Sequence, residues 1–465
     1  MAFSTFLDQK RPACQALVSA LGKRFRYVSV LGADVCSTVI HADSKTSSVR
    51  EGGGERGFVV KMHDGRSVFE YSLDDIGGDI DAMADRIWNA VRVDADLQGV
   101  MIAAEALADE PLQKDFGREN DFAEHSDEDL LSLCRSLVRD IQNQDEHVRN
   151  AMATVQTYQV SKLFVSRSRQ LSQHYGWANG YLMAIYVDGK MVPARHVEGA
   201  GTVGEVLEGL RAHTGELVEL ARHLVTATPI TPGVYDVITD PSISGLIAHE
   251  AFGHGVEMDQ FVKDRALAKQ YMGQYVASPI TNMHDGAAAA YSVASYFFDD
   301  DGVLAQDTHI IRDGVLAAGL CDLTSSAQLK TAPTGNGRRD NCRRKAYARM
   351  TNTFFSPGKD KLADMIASVK HGYMLFETNN GMEDPKNWQI QCTAEYGIEI
   401  VDGKLTDHYV SPVVMSGSVP DLLKSISMVS DDFRIIGSGM CGKGYKEWVR
   451  VSDGGPALKV RVKLG

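Results

Sequence analysis

His249, Glu250 and His254 fall within six residues in the order H-E-x-x-x-H, inside the segment from Gly245 to Gly255. Two closely spaced imidazoles can hold a divalent metal, and a carboxylate beside the first can act as a base on a metal-bound water. The spacing is one residue longer than the H-E-x-x-H of zinc peptidases. On an α-helix, residues i and i+4 stand nearly one above the other, whereas i and i+5 diverge by about 140°. An undistorted helix therefore aims His249 and His254 apart. Either a π-bulge absorbs the extra residue, or His254 sits in a last turn loosened by Gly253 and Gly255. Both routes place non-ideal backbone between Ala251 and Gly255. The plain alternative makes His249 a half-buried helix residue and His254 a C-terminal histidine favoured by the helix dipole.

A catalytic zinc takes a third protein ligand and keeps one position open. Glu257 and Asp259 lie just downstream, while His284, His408 and Cys441 are remote. Cys441 is set apart by its glycine-rich surroundings, Gly437-Ser438-Gly439-Met440-Cys441-Gly442-Lys443-Gly444. Glycine lets the backbone come close to a buried site, and a thiolate is a strong zinc ligand. The competing reading of a lone cysteine is a small buried hydrophobe. Lys443 could stabilise an oxyanion or simply stand exposed in a glycine loop. Arg338-Arg339 and Arg343-Arg344-Lys345 form a basic run. Such a run is either a solvated loop or an anchor for a peptide carboxylate or an acidic partner surface.

The elements that must position these residues read as α+β. Residues 4–23 have a helical stripe of Leu7, Cys14, Leu17, Val18 and Leu21. Residues 27–40 are β-rich, and His63-Asp64-Gly65-Arg66 sits between two strand-like runs as a hairpin turn. Residues 80–91 are helical, and Ser126 with three following carboxylates opens a helix carrying Leu130, Leu131, Cys134, Leu137, Val138 and Ile141. Residues 153–165 and 181–187 return to strand, and 202–227 reads as one long helix opened by Thr202 and Glu205. Thr228-Pro229-Ile230-Thr231-Pro232-Gly233 breaks both periodicities. The boundary is placed there: an N-terminal α+β domain over 1–227 and a β-rich domain over 228–465 that carries the H-E-x-x-x-H helix. That helix follows Asp240-Pro241-Ser242, in which Pro suits a first turn and Asp or Ser can cap. Strands are expected at 274–280, 291–298, 308–320, 349–355, 373–378 and 388–408, and a short helix at 420–428.

The bulk numbers fit a globular chain of 465 residues with 44% hydrophobic residues and a formal net charge of −13. That charge argues against a nucleic-acid face and against docking on an anionic membrane. Seven scattered cysteines without a C-x-x-C do not form a disulfide framework, which points to a reducing compartment. The N-terminus lacks the apolar core of a signal peptide, and no stretch approaches the roughly 18 apolar residues of a membrane span. The expected location is the cytoplasm.

Several motifs in order resemble the TldD/PmbA metallopeptidases. They are His249-Glu250-Ala251-Phe252-Gly253-His254-Gly255-Val256-Glu257, Thr334-Gly335-Asn336-Gly337-Arg338-Arg339, Arg349-Met350-Thr351-Asn352-Thr353 with Ser356-Pro357-Gly358-Lys359, Ile426-Ser427-Met428-Val429, and Met440-Cys441-Gly442-Lys443. The resemblance covers most of 228–450 and is weaker before it. It implies zinc (Zn2+) held by His249, His254 and Cys441, with Glu250 activating a zinc-bound water. It also implies a peptidase of the catalytic TldD type that acts on unfolded or flexible peptides, in peptide maturation or small-protein turnover. The substrate is expected to bind extended along a sheet edge. The resemblance further implies a homodimer, or a heterodimer with a PmbA-like paralogue that lacks the metal motif. Arg338, Arg339 and Lys443 are the candidate substrate contacts. A competing role is a non-catalytic scaffold that encloses a paralogue's active site. A third is a metal hydrolase with a non-peptide substrate, since the same chemistry opens other bonds. The tail departs from the family's Cys-Gly-Lys-x-Gly-Gln and reads Cys441-Gly442-Lys443-Gly444-Tyr445-Lys446.

Overall fold

The computed structural model describes residues 2–93, 100–103, 107, 110–437, 439–444 and 447–465; Ser438, Tyr445 and Lys446 of the tail lie outside the described residues. The chain is α+β, with three large sheets. A nine-stranded sheet is made entirely before residue 201, and the seven- and six-stranded sheets entirely after residue 232.

The long strands Tyr27–Asp43, Val148–Ser166 and Arg169–Asp188 run antiparallel through the centre of the first sheet. Their length lets them carry two separate cores. At one end Val28, Val30, Leu163 and Val165 pack with Leu7, Cys14, Leu17, Val18 and Leu21 of the helix Thr5–Leu21, the stripe read from the sequence. At the other end Ile40, Ala42, Ala151, Ala153 and Val155 pack with the helix Asp127–Gln142, capped by the Ser126 hydroxyl. The expected helix over 202–227 is two helices, Val203–Ala212 and Thr214–Thr226, broken at His213. The His213 ring bonds the Gly209 carbonyl there. The apolar stripe continues across the break, Leu210 being followed seven residues later by Leu217, so periodicity did not reveal it.

In the second half, Gly233–Thr239 pairs with both His371–Asp384 and Leu458–Leu464. With Gln389–Val401 and Val413–Ser418 these strands close into a five-stranded ring. The expected strands at 274–280 and 291–298 are irregular. Their amides find scattered partners instead of a ladder: Val276 and Ala277 bond the Gly314 carbonyl, and Ser278 bonds the Leu423 carbonyl. Ser292 bonds the Ser295 hydroxyl, and Phe297 and Phe298 share the Gln173 side-chain oxygen. Sequence reasoning also missed the helix Leu323–Leu329, capped on both sides of its first turn by Asp322 and Ser325.

The two halves meet through buried charge pairs. Lys61 pairs with Asp301 and Lys162 with Asp300, and Arg339 reaches Glu70 at 3.2 Å. Burial raises the cost of each ion, and the opposite charge offsets it. Removing one member is expected to cost about 3–5 kcal/mol because it strands the other. Lys162→Met is therefore expected to lower the thermal midpoint by several degrees, read by circular dichroism.

Candidate metal centre

The H-E-x-x-x-H segment begins on a well-set helix. Pro241 occupies its first turn, and the Asp240 carboxylate accepts the Ile243 amide at 2.8 Å. The chain then widens into one π-helical stretch, Ile247–Gly253, in which the His254 amide donates to the His249 carbonyl five residues back. The extra residue is absorbed where the spacing required it. The two imidazoles consequently converge, with ring centroids 5.2 Å apart and planes at 85°. Glycine at both ends of the second histidine lets neighbouring side chains pack close. A Cβ at Gly253 would stand 2.0 Å from the Met350 sulfur, and one at Gly255 would stand 2.7 Å from Glu383 Oε1.

The segment lies between the ring strands His371–Asp384 and Gln389–Val401 and the strands Asn352–Phe355 and Ser452–Gly455 of the six-stranded sheet. Ile247, Ala248, Ala251 and Phe252 fill the core, which leaves His249, Glu250 and His254 toward a cavity of about 810 Å3. A hairpin of Met440–Lys443 with Glu447–Arg450 folds back over that cavity. It places Cys441 Sγ 3.4 Å from His254 Nε2. Ligand atoms of His249, His254 and Cys441 all lie within 4.8 Å of one another. A tetrahedral zinc with two nitrogens and a sulfur has edges of about 3.5 Å, so the spacing fits the ion. The donor set fits as well, and the buried His249 Nδ1 has no hydrogen-bond partner.

The three side chains polarise one another. Burial pushes the Cys441 thiol up, but His254 and His249 outweigh it and hold the thiol well below its usual range. Burial pulls His249 down, and Cys441 outweighs that and raises it to about 9; His254 is raised further by Cys441 and Glu257. The metal-free site therefore favours a thiolate beside imidazolium. A metal must displace those protons. Zinc affinity is expected to climb as pH rises from 6 toward 9, with proton release on binding, measured by calorimetry in buffers of different ionisation enthalpy.

Glu257 lies outside the converging group and orients His254. Its side chain is 1% exposed, bonds His254 Nδ1 at 3.1 Å and forms ion pairs with Lys443 Nζ at 3.0 Å and Arg349 Nε at 3.4 Å. Such a carboxylate fixes the ring and its tautomer. Arg349 also donates to the carbonyls of Cys441 and Glu447, both at 2.8 Å, and so ties the hairpin to the helix. Glu257→Gln is expected to weaken zinc binding about 10–100-fold, measured by competition with a chelating dye.

The three candidate substrate contacts are engaged by other groups. Lys443 lines the cavity, but its three donors are spent on Glu257 at 3.0 Å, Asp259 at 2.5 Å and the Ala348 carbonyl at 3.0 Å, which leaves none for an oxyanion. Arg338 and Arg339 line a separate cavity between the two halves. There Arg338 donates to the Met350 carbonyl at 2.6 Å, and Arg339 is held by Glu70. His284 pairs with Asp307 and His408 with Glu399, away from the centre. Glu383 and Asp453 also line the cavity and were not singled out in the sequence. Burial raises Glu383 well above the usual carboxylate range and Asp453 to about 6. A further group, His196, Glu198 and His213, gathers in the N-terminal half. Its rings stack face to face at 3.8 Å and Arg434 holds its carboxylate at 3.0 Å, an arrangement of satisfied hydrogen bonds.

Comparison with known proteins bears on the family and the fold. Residues 232–463 match the family model described as the PmbA/TldA metallopeptidase C-terminal domain. A protein named metalloprotease from Methanothermobacter thermautotrophicus is 32% identical over 60% of this chain and 62% of its own length. A zinc metalloprotease TldD homolog from Saccharolobus solfataricus is 32% identical over 50% of this chain and 52% of its own. The match thus spans about half to three-fifths of these relatives. The crystal structure of TldE from Thermococcus kodakarensis superposes with a TM-score of 0.74 over 97% of this chain and 100% of that one, at 18% identity, which bears on the fold alone.

Proposed function

The chain belongs to the PmbA/TldD metallopeptidase family, and on that premise we propose that it is a zinc-dependent peptidase of unfolded or flexible peptides. The observation that carries the reading is the meeting of His249, His254 and Cys441 beside Glu250 in an accessible cavity. These three residues would hold the zinc. A bound zinc supplies Lewis acidity, making a coordinated water a nucleophile near neutral pH and polarising the scissile carbonyl.

The chain's own groups do the rest. Glu250, with an oxygen 3.9 Å from His254 Nε2, takes the proton of the attacking water and returns it to the leaving amine. Gly381 keeps it in place, because a Cβ there would meet Glu250 Cγ at 2.4 Å. The strand His371–Asp384 is paired on one side throughout, but on the other only over Gly372–Leu375. Among the described residues its remaining edge is free and borders the cavity from Thr378 to Glu383. An extended peptide adds there as a further strand, with main-chain hydrogen bonds supplying sequence-tolerant affinity.

The division at 228 is kept as a proposal, supported by the family match beginning at 232. Pairing with a second copy or a PmbA-like paralogue and a cytoplasmic site of action are proposed likewise. No helix among the described residues is long and apolar enough to cross a membrane. An intact set of three ligands and Glu250 favours the catalytic role over a scaffold. The test is hydrolysis of unstructured peptides by the zinc-loaded protein. Cleavage abolished by a chelator and restored by zinc is expected. A chain that binds one zinc yet cuts no peptide would instead be the scaffold or a hydrolase of other bonds.

A further inference from the structure

The cavity between the two halves has a volume of about 230 Å3, and its walls are aromatic: Tyr158, Trp177, Tyr296 and Phe298 line it. Tyr158 stacks on Trp177 with centroids 3.8 Å apart, and the Arg450 guanidinium lies 4.3 Å from the Trp177 ring. Arg338 sits over Tyr296 at 5.6 Å. Polar groups around these faces are already engaged. The Tyr296 hydroxyl donates to the Gly335 carbonyl at 2.7 Å, Arg338 donates to the Met350 carbonyl, and Asp300 and Glu70 hold Lys162 and Arg339. What the cavity offers is therefore flat ring and guanidinium surface. An apolar cavity of about 150 Å3 admits a benzene ring, so the volume suffices for an aromatic side chain.

The place of this cavity says whose ring it takes. The hairpin of Met440–Lys443 with Glu447–Arg450 stands between it and the metal centre. Cys441 faces the histidines, while Met440 and Trp448 border both cavities. Both of these side chains are 49% exposed, so the two cavities open side by side along this rim. Large apolar side chains exposed together mark ligand-binding grooves. The floor behind them is closed, with Trp177, Tyr296 and Phe298 buried. We propose that this cavity is a subsite for an aromatic side chain of the substrate. An extended peptide held at the metal centre sends one ring past Met440 and Trp448 into it. Aromatic faces pair through their quadrupoles, and guanidinium planes stack on rings. A ring is therefore taken in preference to an aliphatic group of equal volume. This inference rests on the peptidase reading. It adds that the enzyme selects for a side chain, which main-chain strand pairing alone does not do.

The test uses the zinc-loaded full chain and alanine-rich decapeptides in which one phenylalanine, leucine or cyclohexylalanine is moved through every position, with cut sites mapped by mass spectrometry. Catalytic efficiency is expected to rise about tenfold or more over the all-alanine peptide when phenylalanine sits at one fixed position from the cleaved bond, chiefly through KM. Cyclohexylalanine, which fills the volume without a π face, is expected to recover only part of that gain, and leucine less. Val35→Trp fills the cavity from a half-buried wall and is expected to bring the phenylalanine-to-alanine ratio close to one. Tyr158→Leu keeps the wall apolar and should shrink the difference between phenylalanine and cyclohexylalanine. The same peptides binding to Glu250→Gln by fluorescence anisotropy should show the same order without turnover. Ratios that survive both substitutions overturn the subsite. Cleavage by the parent chain with no preference for a ring overturns it too, and a rate raised by free indole in that case would make the cavity an effector site. Each of these results leaves the peptidase reading intact. If no peptide is cut by the zinc-loaded chain, the peptidase reading fails first and the subsite with it.

Discussion

Glu250→Gln is expected to lower the kcat for peptide hydrolysis by about 10²–10⁴-fold, the usual share of a positioned general acid–base, while zinc content and fold stay as they are. The reasoning is spatial. Glu250 sits on the π-helical stretch between the two histidines, with its oxygen 3.9 Å from His254 Nε2, beside the three converging side chains that would hold the metal yet not itself one of them. Glutamine keeps the volume that Gly381 accommodates and loses only the ability to take up a proton. Steady-state kinetics with metal analysis of the same sample checks both halves of the statement. Activity within a few-fold of the parent would assign the proton transfer elsewhere. Loss of zinc together with activity would make Glu250 a ligand.

The second large effect is at Cys441. Cys441→Ala removes one of three converging donors and leaves two buried imidazoles without the thiolate that raises His249 in the parent. The loss in zinc affinity should exceed the roughly 10–100-fold of an orienting residue such as Glu257. The hairpin should survive, because Arg349 holds it through the backbone carbonyls of Cys441 and Glu447 and not through the thiol. Competition against a chelating dye, with circular dichroism to confirm the fold, reads this directly. An affinity equal to that of the parent would remove Cys441 from the ligand set.

The convergence of His249 and His254 was legible because helical periodicity is local. The spacing of His249 and His254 demanded non-ideal backbone between Ala251 and Gly255, and the structure supplies it as a π-turn closed by the His254 amide on the His249 carbonyl. The helical stripes of 5–21 and 127–142 were legible for the same reason. Cys441 was one of several open candidates on spacing alone, and only the ordered family motifs selected it. No local rule brings together residues 187 positions apart in the chain. The buried ion pairs escaped for a related reason. Arg339 and Lys443 look like free cations in sequence, and their partners Glu70, Glu257 and Asp259 become visible only once the sheets are stacked. The 274–280 and 291–298 segments misled in the opposite direction. Val276, Ala277, Val293, Ala294, Tyr296 and Phe298 are buried, yet the amides of these segments are satisfied by turns and side chains, which β-like composition does not distinguish from a ladder. Glu383 carried no signal at all, since a single glutamate in a strand reads as an outward-facing residue until a cavity is found against it.

The central claim is that one zinc ion joins the helix to the tail through two nitrogens and a sulfur. X-ray absorption at the zinc edge of the zinc-loaded protein tests it most directly. The expected spectrum has one sulfur at about 2.3 Å and nitrogen or oxygen neighbours at about 2.0–2.1 Å, with the sulfur shell absent in Cys441→Ala. A spectrum of the parent protein with no sulfur neighbour, or one unchanged by that substitution, would contradict it.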